Sequence, residues 1–201
     1  MINNFRLPTN TKPIHYHIII KPENNIFAGI CYITYNKFTM ENHIMLNGAN
    51  LKIISVELEN NKCLDIIYDI QYERIKLIFD NMPNTGIIKI CYLGQITDSM
   101  VGVYRSKISD SEYVISTQFE PVFARHCFPC FDEPHFKTTF QLEIYALKNK
   151  IVISNTEKIS EKINWILDHP AEAGQIGKNA DEFIQSHASI YSSAKGFTLA
   201  V

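Results

Sequence analysis

The chain has 201 residues, 46% hydrophobic and 20% charged, the make-up of a globular protein with a core to bury and not of a disordered segment. A formal net charge of −2 argues against a general nucleic-acid binder, which needs a concentrated positive surface. No apolar run reaches membrane-span length, no apolar signal core follows the start, and five cysteines, an odd number, do not read as a disulfide framework, so a cytoplasmic protein with no membrane partner is expected.

From residue 14 to about 153 the hydrophobic period is two. HYHIII (15–20), GICYITY (29–35), IMLNG (44–48), LKIISVELE (51–59) and CLDIIYDI (63–70) read as strands, followed by RIKLIFD (74–80), IIKICYLG (87–94), EYVISTQF (112–119) and FKTTFQLEIYAL (136–147). All are rich in Ile, Tyr, Val, Phe and Thr, residues that suit a pleated, half-buried surface. In the last run Phe136, Thr138, Phe140, Leu142 and Ile144 share the face expected to meet the core. NGAN (47–50) and NMPNTG (81–86) supply turns between strands. The expected fold is mainly β: an antiparallel sandwich or large curved sheet. After Asn155 the period becomes helical. Ile163, Ile166 and Leu167 line one short helix, and beyond Pro170 the residues Ala173, Ile176, Ala180, Phe183 and Ile184 line a second. The expected division is therefore a β domain over 1–157 and a helical tail over 158–201.

The densest chemistry lies in ISTQFEPVFARHCFPCFDEPHFKTTF (115–140). Cys127 and Cys130 have the spacing of half a zinc knuckle, but a structural zinc takes four ligands and a second such pair is missing. A redox C-x-x-C opens a helix after a strand, whereas this one sits in a proline-punctuated loop. His15 and His17, two apart on one strand face, lack an evident third ligand. Ser116 has no G-x-S-x-G around it, glycine-rich phosphate loops are absent, and no histidine is followed by glutamate, so H-E-x-x-H is absent too. Cys31, Cys63 and Cys91 sit in or beside apolar runs and are expected to be buried, reduced thiols.

The run TQFEPVFARHCFPCFDEPHFKTTF (117–140) resembles the motif of the N-terminal domain of the zinc aminopeptidases of the aminopeptidase N family. It resembles the puromycin-sensitive and endoplasmic-reticulum branches in particular. RLP…KPIHYHIIIKP (6–22), Phe27 with Gly29, IMLNGANLKI (44–53), YLGQITDSMVGVYRSK (92–107) and SNTE (154–157) resemble the family's other segments in the same order.

The resemblance implies a saddle-shaped, mostly antiparallel β domain that closes one end of an active site. It implies that Gln118 shapes the pocket for a substrate's first residue and that Glu120 binds its free α-amino group. Arg125, Phe128, Pro129, Asp132, Glu133 and Pro134 are then structural: Asp132 and Glu133 cap the turn before the next strand, Arg125 pairs with one of these acids, and Phe128 and Phe131 anchor the loop. The family's catalytic motifs, G-A-M-E-N and H-E-x-x-H, do not occur in the 201 residues. A truncated first domain is therefore expected, inert alone, without catalytic residues, metal ligands or a cofactor of its own; zinc belongs to the complete family enzyme. Peptide amino termini and a catalytic domain carried elsewhere are the expected partners. Residues 160–187 resemble the C-terminal helices of some glycosyltransferases. The chain then reads either as a fusion or as a β domain whose tail covers a sheet edge. A free-standing, non-catalytic binding module is the alternative function.

Overall fold

The computed structural model describes residues 6–59, 61–109, 112–146 and 152–154. Ten strands form: β1 (Thr11–Glu23), β2 (Ile26–Lys37), β3 (His43–Asn47), β4 (Lys52–Leu58), β5 (Asn61–Asp69), β6 (Arg74–Phe79), β7 (Thr85–Gln95), β8 (Gly102–Lys107), β9 (Tyr113–Gln118) and β10 (Thr139–Ile144). A single 3₁₀ turn, Ala124–His126, is the only helical element among the described residues. The fold is thus mainly β, as its period-two pattern requires. The expected helices over 158–201 lie outside the described residues, and none of the described helical segments is long and apolar enough to cross a membrane.

Eight strands make one curled sheet in the order β10-β1-β2-β7-β4-β5-β6-β3, and β8 and β9 form a separate ribbon. The curl runs through β5. Its start, Asn61 and Lys62, pairs with β4, while Cys63–Asp69 pairs with β6. The inward side chains of both limbs meet in one core that includes Ile18, Ile33, Tyr35, Leu46, Leu58, Leu77, Phe79, Ile88 and Ile90. At roughly 25 cal/mol per Å² of apolar surface removed from water, this core is the main stabilising term. Two glycines set its closest approach. Gly29 faces Tyr92 and Gly94 faces Phe27 across the β2–β7 register, and a Cβ at either glycine would lie 2.2 or 2.1 Å from the opposing ring. Each ring lies over the other strand's glycine, and the two rings meet edge to face at 6.3 Å.

Four differences from the sequence reading have physical causes. β1 begins at Thr11, before Pro13; the proline is accommodated because the register shifts between Pro13 and His15, a bulge that also turns Ile14 out to solvent. β8, GVYRSK, was not expected as a strand. Only Gly102 and Val103 of its six residues are buried, too short an apolar record to show a period. The run 136–147 becomes a strand only at Thr139, because the carbonyls of Glu133 and His135 accept the N–H groups of Phe136 and Lys137 and hold them in a turn. Finally, β10 pairs with β1 in parallel, from His15↔Thr139 to Ile20↔Ile144. Alternation in a sequence says which face a residue takes and nothing of strand direction, so this pairing was not foreseeable from the pattern.

Candidate functional site

The stretch from Gln118 to Phe136 leaves β9, turns through Glu120–Pro121, passes the 3₁₀ turn and dives into the core before rising to β10. Its second half is fully engaged. Asn47, buried at the end of β3, exchanges backbone hydrogen bonds with Cys130 (2.7 and 3.0 Å), and its side-chain Oδ1 accepts the N–H of Asp132 at 3.1 Å. The Phe131 N–H donates to the hydroxyl of Tyr16 at 3.0 Å, and the Ala49 N–H donates to the Arg125 carbonyl at 3.0 Å. The loop therefore pairs its backbone with β3 and β1 in place of a strand partner, which is how an irregular segment can be buried without orphaned amides.

Arg125 is the hub. Its Nε donates to Asp132 Oδ2 at 2.9 Å, its Nη1 to Glu73 Oε2 at 3.2 Å, and its backbone N–H also reaches Asp132 Oδ2 at 3.3 Å. The Arg125 and Asp132 side chains are only 13% and 12% exposed, so the pair is shielded from most solvent screening. Glu133 accepts the backbone N–H of Leu7 and lies 3.4 Å from His135. Phe128 packs edge-on against Tyr16 and Phe119, at 5.9 and 6.1 Å, and Phe131 against Phe136 at 4.8 Å. Pro129 is buried and Pro134 exposed; the Pro129 carbonyl faces Cys31 Sγ at 3.7 Å.

Glu73 and Asn47 were not singled out in the sequence. Glu73 follows a polar stretch, QY, and nothing local distinguishes it from a solvated turn acid. Asn47 reads as the first half of an Asn-Gly turn, and only the fold reveals that it braces the loop.

Cys31, Cys127 and Cys130 are buried and free. Burial raises all three thiols. That of Cys127 is pushed up to about 12, and that of Cys130 is raised further by the neighbouring Asp132 carboxylate. Raised in this way and closed off from solvent, they lack the thiolate character of a reactive cysteine. Cys63 and Cys91 are only half-buried, less than expected. His15 contacts Thr139 Oγ1 and His17 contacts Glu143 Oε1, both at 2.7 Å across the β1–β10 pairing. Each histidine therefore bridges strands, and they do not converge on a common point.

The first half of the stretch is the opposite. Gln118 and Glu120 are exposed, and among the described residues neither side chain makes a hydrogen bond or ion pair. Phe119 between them is half-buried against Phe128. A cleft of about 360 Å³ opens over the Arg125 hub, lined by Arg6, Val122, Arg125, Glu133 and His135 among others, and neither Gln118 nor Glu120 lines it.

The site is thus an exposed acid, Glu120, on one corner of a curled, mostly antiparallel β domain, next to a loop braced by Arg125, Asp132 and Glu73. The family model of the peptidase M1 N-terminal domain matches residues 12–169, and the chain belongs to that family. The match continues past the expected β-domain end at Glu157. Aminopeptidase 2 of Candida albicans is 32% identical over 170 residues, covering 81% of this chain and 18% of that protein. Puromycin-sensitive aminopeptidase of Caenorhabditis elegans is 32% identical over 169 residues, with 78% and 18% covered. Leucyl aminopeptidase of Saccharolobus solfataricus is 34% identical over 135 residues, with 65% and 16% covered. The chain thus spans less than a fifth of the length of these relatives. M1 peptidases are generally zinc-dependent. The described residues here do not fit that ion: no group of three or more His, Cys, Asp or Glu side chains is placed to hold one.

Proposed function

We propose that this domain recognises the amino terminus of a peptide for a zinc-dependent aminopeptidase, with Glu120 pairing with the α-ammonium group and Gln118 bordering the first side chain. The zinc and the hydrolytic residues would belong to a catalytic domain, the natural partner of this one. The reading is supported above all by the state of Glu120: an exposed carboxylate, without a partner among the described residues, on a corner whose other half is fixed in the core. A peptide's α-amine has a pKa near ~7.7–8.0 and is largely cationic at neutral pH. A carboxylate held ready for it gains a charge-assisted hydrogen bond that an internal peptide bond cannot offer. Chain-end selectivity is then a measurement of charge.

Titration of the chain with a tripeptide bearing a free amino terminus, and with its N-acetylated twin, tests this by NMR. The free-amine peptide is expected to shift resonances of the 118–123 corner and the acetylated one not to, with the difference lost in Glu120→Gln. Equal responses to the two peptides, or an undiminished difference in the variant, would overturn the proposal.

A further inference from the structure

The corner that carries Gln118 and Glu120 is pressed from one side by a residue with no side chain. Gly102 opens β8 and lies directly opposite Gln118 in the β8–β9 register. Its φ is +64°, a conformation that L side chains rarely adopt. A Cβ built on it would lie 2.6 Å from the Cβ of His126 and 3.7 Å from the carbonyl oxygen of Phe123. The first of these is a branch point next to the backbone and not the far end of a flexible chain, so a rotamer change cannot relieve it. Gly102 therefore lets β8 and the 3₁₀ turn touch nearly backbone to backbone.

Which side would yield follows from how each is held. β8 is clamped to the end of β7: the Thr97 N–H donates to the Val103 carbonyl at 3.0 Å, the Arg105 N–H to the Thr97 carbonyl at 2.8 Å, and Arg105 Nε to Asp98 at 2.8 Å. The C-terminal side of the turn is clamped as firmly, by the Arg125 hub and the buried run from Cys127 to Phe131. Between these anchors lies 119–123, outside both strands and held more lightly. The Phe123 N–H donates to the Phe119 carbonyl at 2.8 Å, the His126 N–H to the Phe123 carbonyl at 3.1 Å, and Phe119 packs on Phe128. The Phe123 ring meets His126 itself at 5.6 Å, so that a shift of His126 is passed directly to Phe123. Displacement is expressed there.

We infer that Gly102 is a positioning residue for the peptide-binding corner: its missing side chain sets where Gln118 and Glu120 stand. The recognition role of the corner rests on the function proposed above, but the steric coupling does not. Gly102→Ala is expected to move the backbone amide resonances of 118–123 in the absence of any peptide. It is also expected to weaken binding of the free-amine tripeptide by about tenfold or more, since misplacements on the scale of an ångström carry costs of that order. His126→Gly removes the opposing Cβ together with the ring that packs on Phe123, so the double variant Gly102→Ala/His126→Gly is compared with His126→Gly alone. Its 118–123 amide resonances should lie closer to that single variant than those of Gly102→Ala lie to wild type, the remainder being the strain of an L side chain at φ +64°. Gly94→Ala supplies the control. It forces an equally severe overlap, with the Phe27 ring at 2.1 Å, in the core between β2 and β7. It should lower stability while leaving the 118–123 resonances and the free-amine preference of the folded protein in place.

If the 118–123 resonances stay put in Gly102→Ala, or if Gly94→Ala moves them as much, the inference is overturned. A wild-type chain that does not distinguish the two peptides would overturn the recognition role and leave the steric coupling to be decided by the resonances alone. If Gly102→Ala does not fold, the double variant decides against His126→Gly alone: a folded double variant with 118–123 resonances close to that single variant's supports the inference, and a double variant that still fails to fold or displaces them overturns it.

Discussion

Two halves of one loop, 118–122 and 127–132, have nearly the same distance to run between strands and share almost nothing else. In the inner half Cys127, Phe128, Pro129, Cys130 and Phe131 are all buried, and Asp132 is committed to Arg125. In the outer half Gln118, Glu120, Pro121 and Val122 are exposed, and only Phe119 is drawn inward. The inner half supplies rigidity and the outer half supplies free chemistry. A recognition corner needs both, because a carboxylate that is unpaired but loosely held pays for its ordering when ligand arrives.

The contrast can be broken most severely from the inside. Phe128→Ala removes a ring packed on Tyr16, Phe119 and Phe140, and is expected to cost about 3–5 kcal/mol. Chemical denaturation measures it, with an unchanged midpoint contradicting the anchoring role. Arg125→Ala leaves the shielded Asp132 carboxylate without its guanidinium and should cost about 2–4 kcal/mol. Arg125→Lys should recover only part, because one ammonium cannot reach both Asp132 and Glu73 with the same fork.

The buried thiols sharpen the comparison through pH. Their folded pKa values lie above those of the unfolded chain, so folding holds protons that unfolding releases. Stability is then fully present below the ordinary thiol value of 9.0 and falls as pH rises from there toward the value of about 12 for Cys127. The expected slope is about 1.4 kcal/mol per pH unit for each such thiol. Denaturation midpoints between pH 8 and about 10.5 should decline, less steeply in Cys127→Ala. A flat profile would contradict it. The smallest effect belongs to the outer half. Glu120→Gln should leave stability within about 0.5 kcal/mol of wild type, since the exposed side chain has no hydrogen bond or ion pair to lose. A larger loss in thermal denaturation would show that Glu120 is structural.

The same contrast explains what could be read from the sequence. Strand positions were legible wherever both faces left a record, as in β2, whose residues Phe27, Cys31, Ile33 and Tyr35 all turn inward. Where the record was short or interrupted, as in β8 or at Pro13, the period failed. Arg125, Asp132 and Glu133 stood out in the motif. Glu73 and Asn47 did not, because their importance comes from chain segments distant in sequence that only the fold brings to them. The parallel partnership of β10 with β1 is of the same kind. Phe140 illustrates the cost: expected on the core face, it is 52% exposed because β10 is an edge strand, although its ring stacks on Tyr16 at 5.1 Å.

That partnership of β1 with β10 also bears on the order in which the domain assembles. Thr139 must find His15 across nearly the whole length of the β domain, and the Phe131 amide must find the Tyr16 hydroxyl across a separation of 115 residues. Long-range closures of this sort come late, after hairpins such as β1–β2 and β5–β6 have paid their small entropic cost. The segment between β9 and β10 is tied near its middle to Asn47, Ala49 and Glu73, and its far end closes when β10 docks beside β1. The corner proposed above for peptide recognition is therefore complete only once this longest closure has formed.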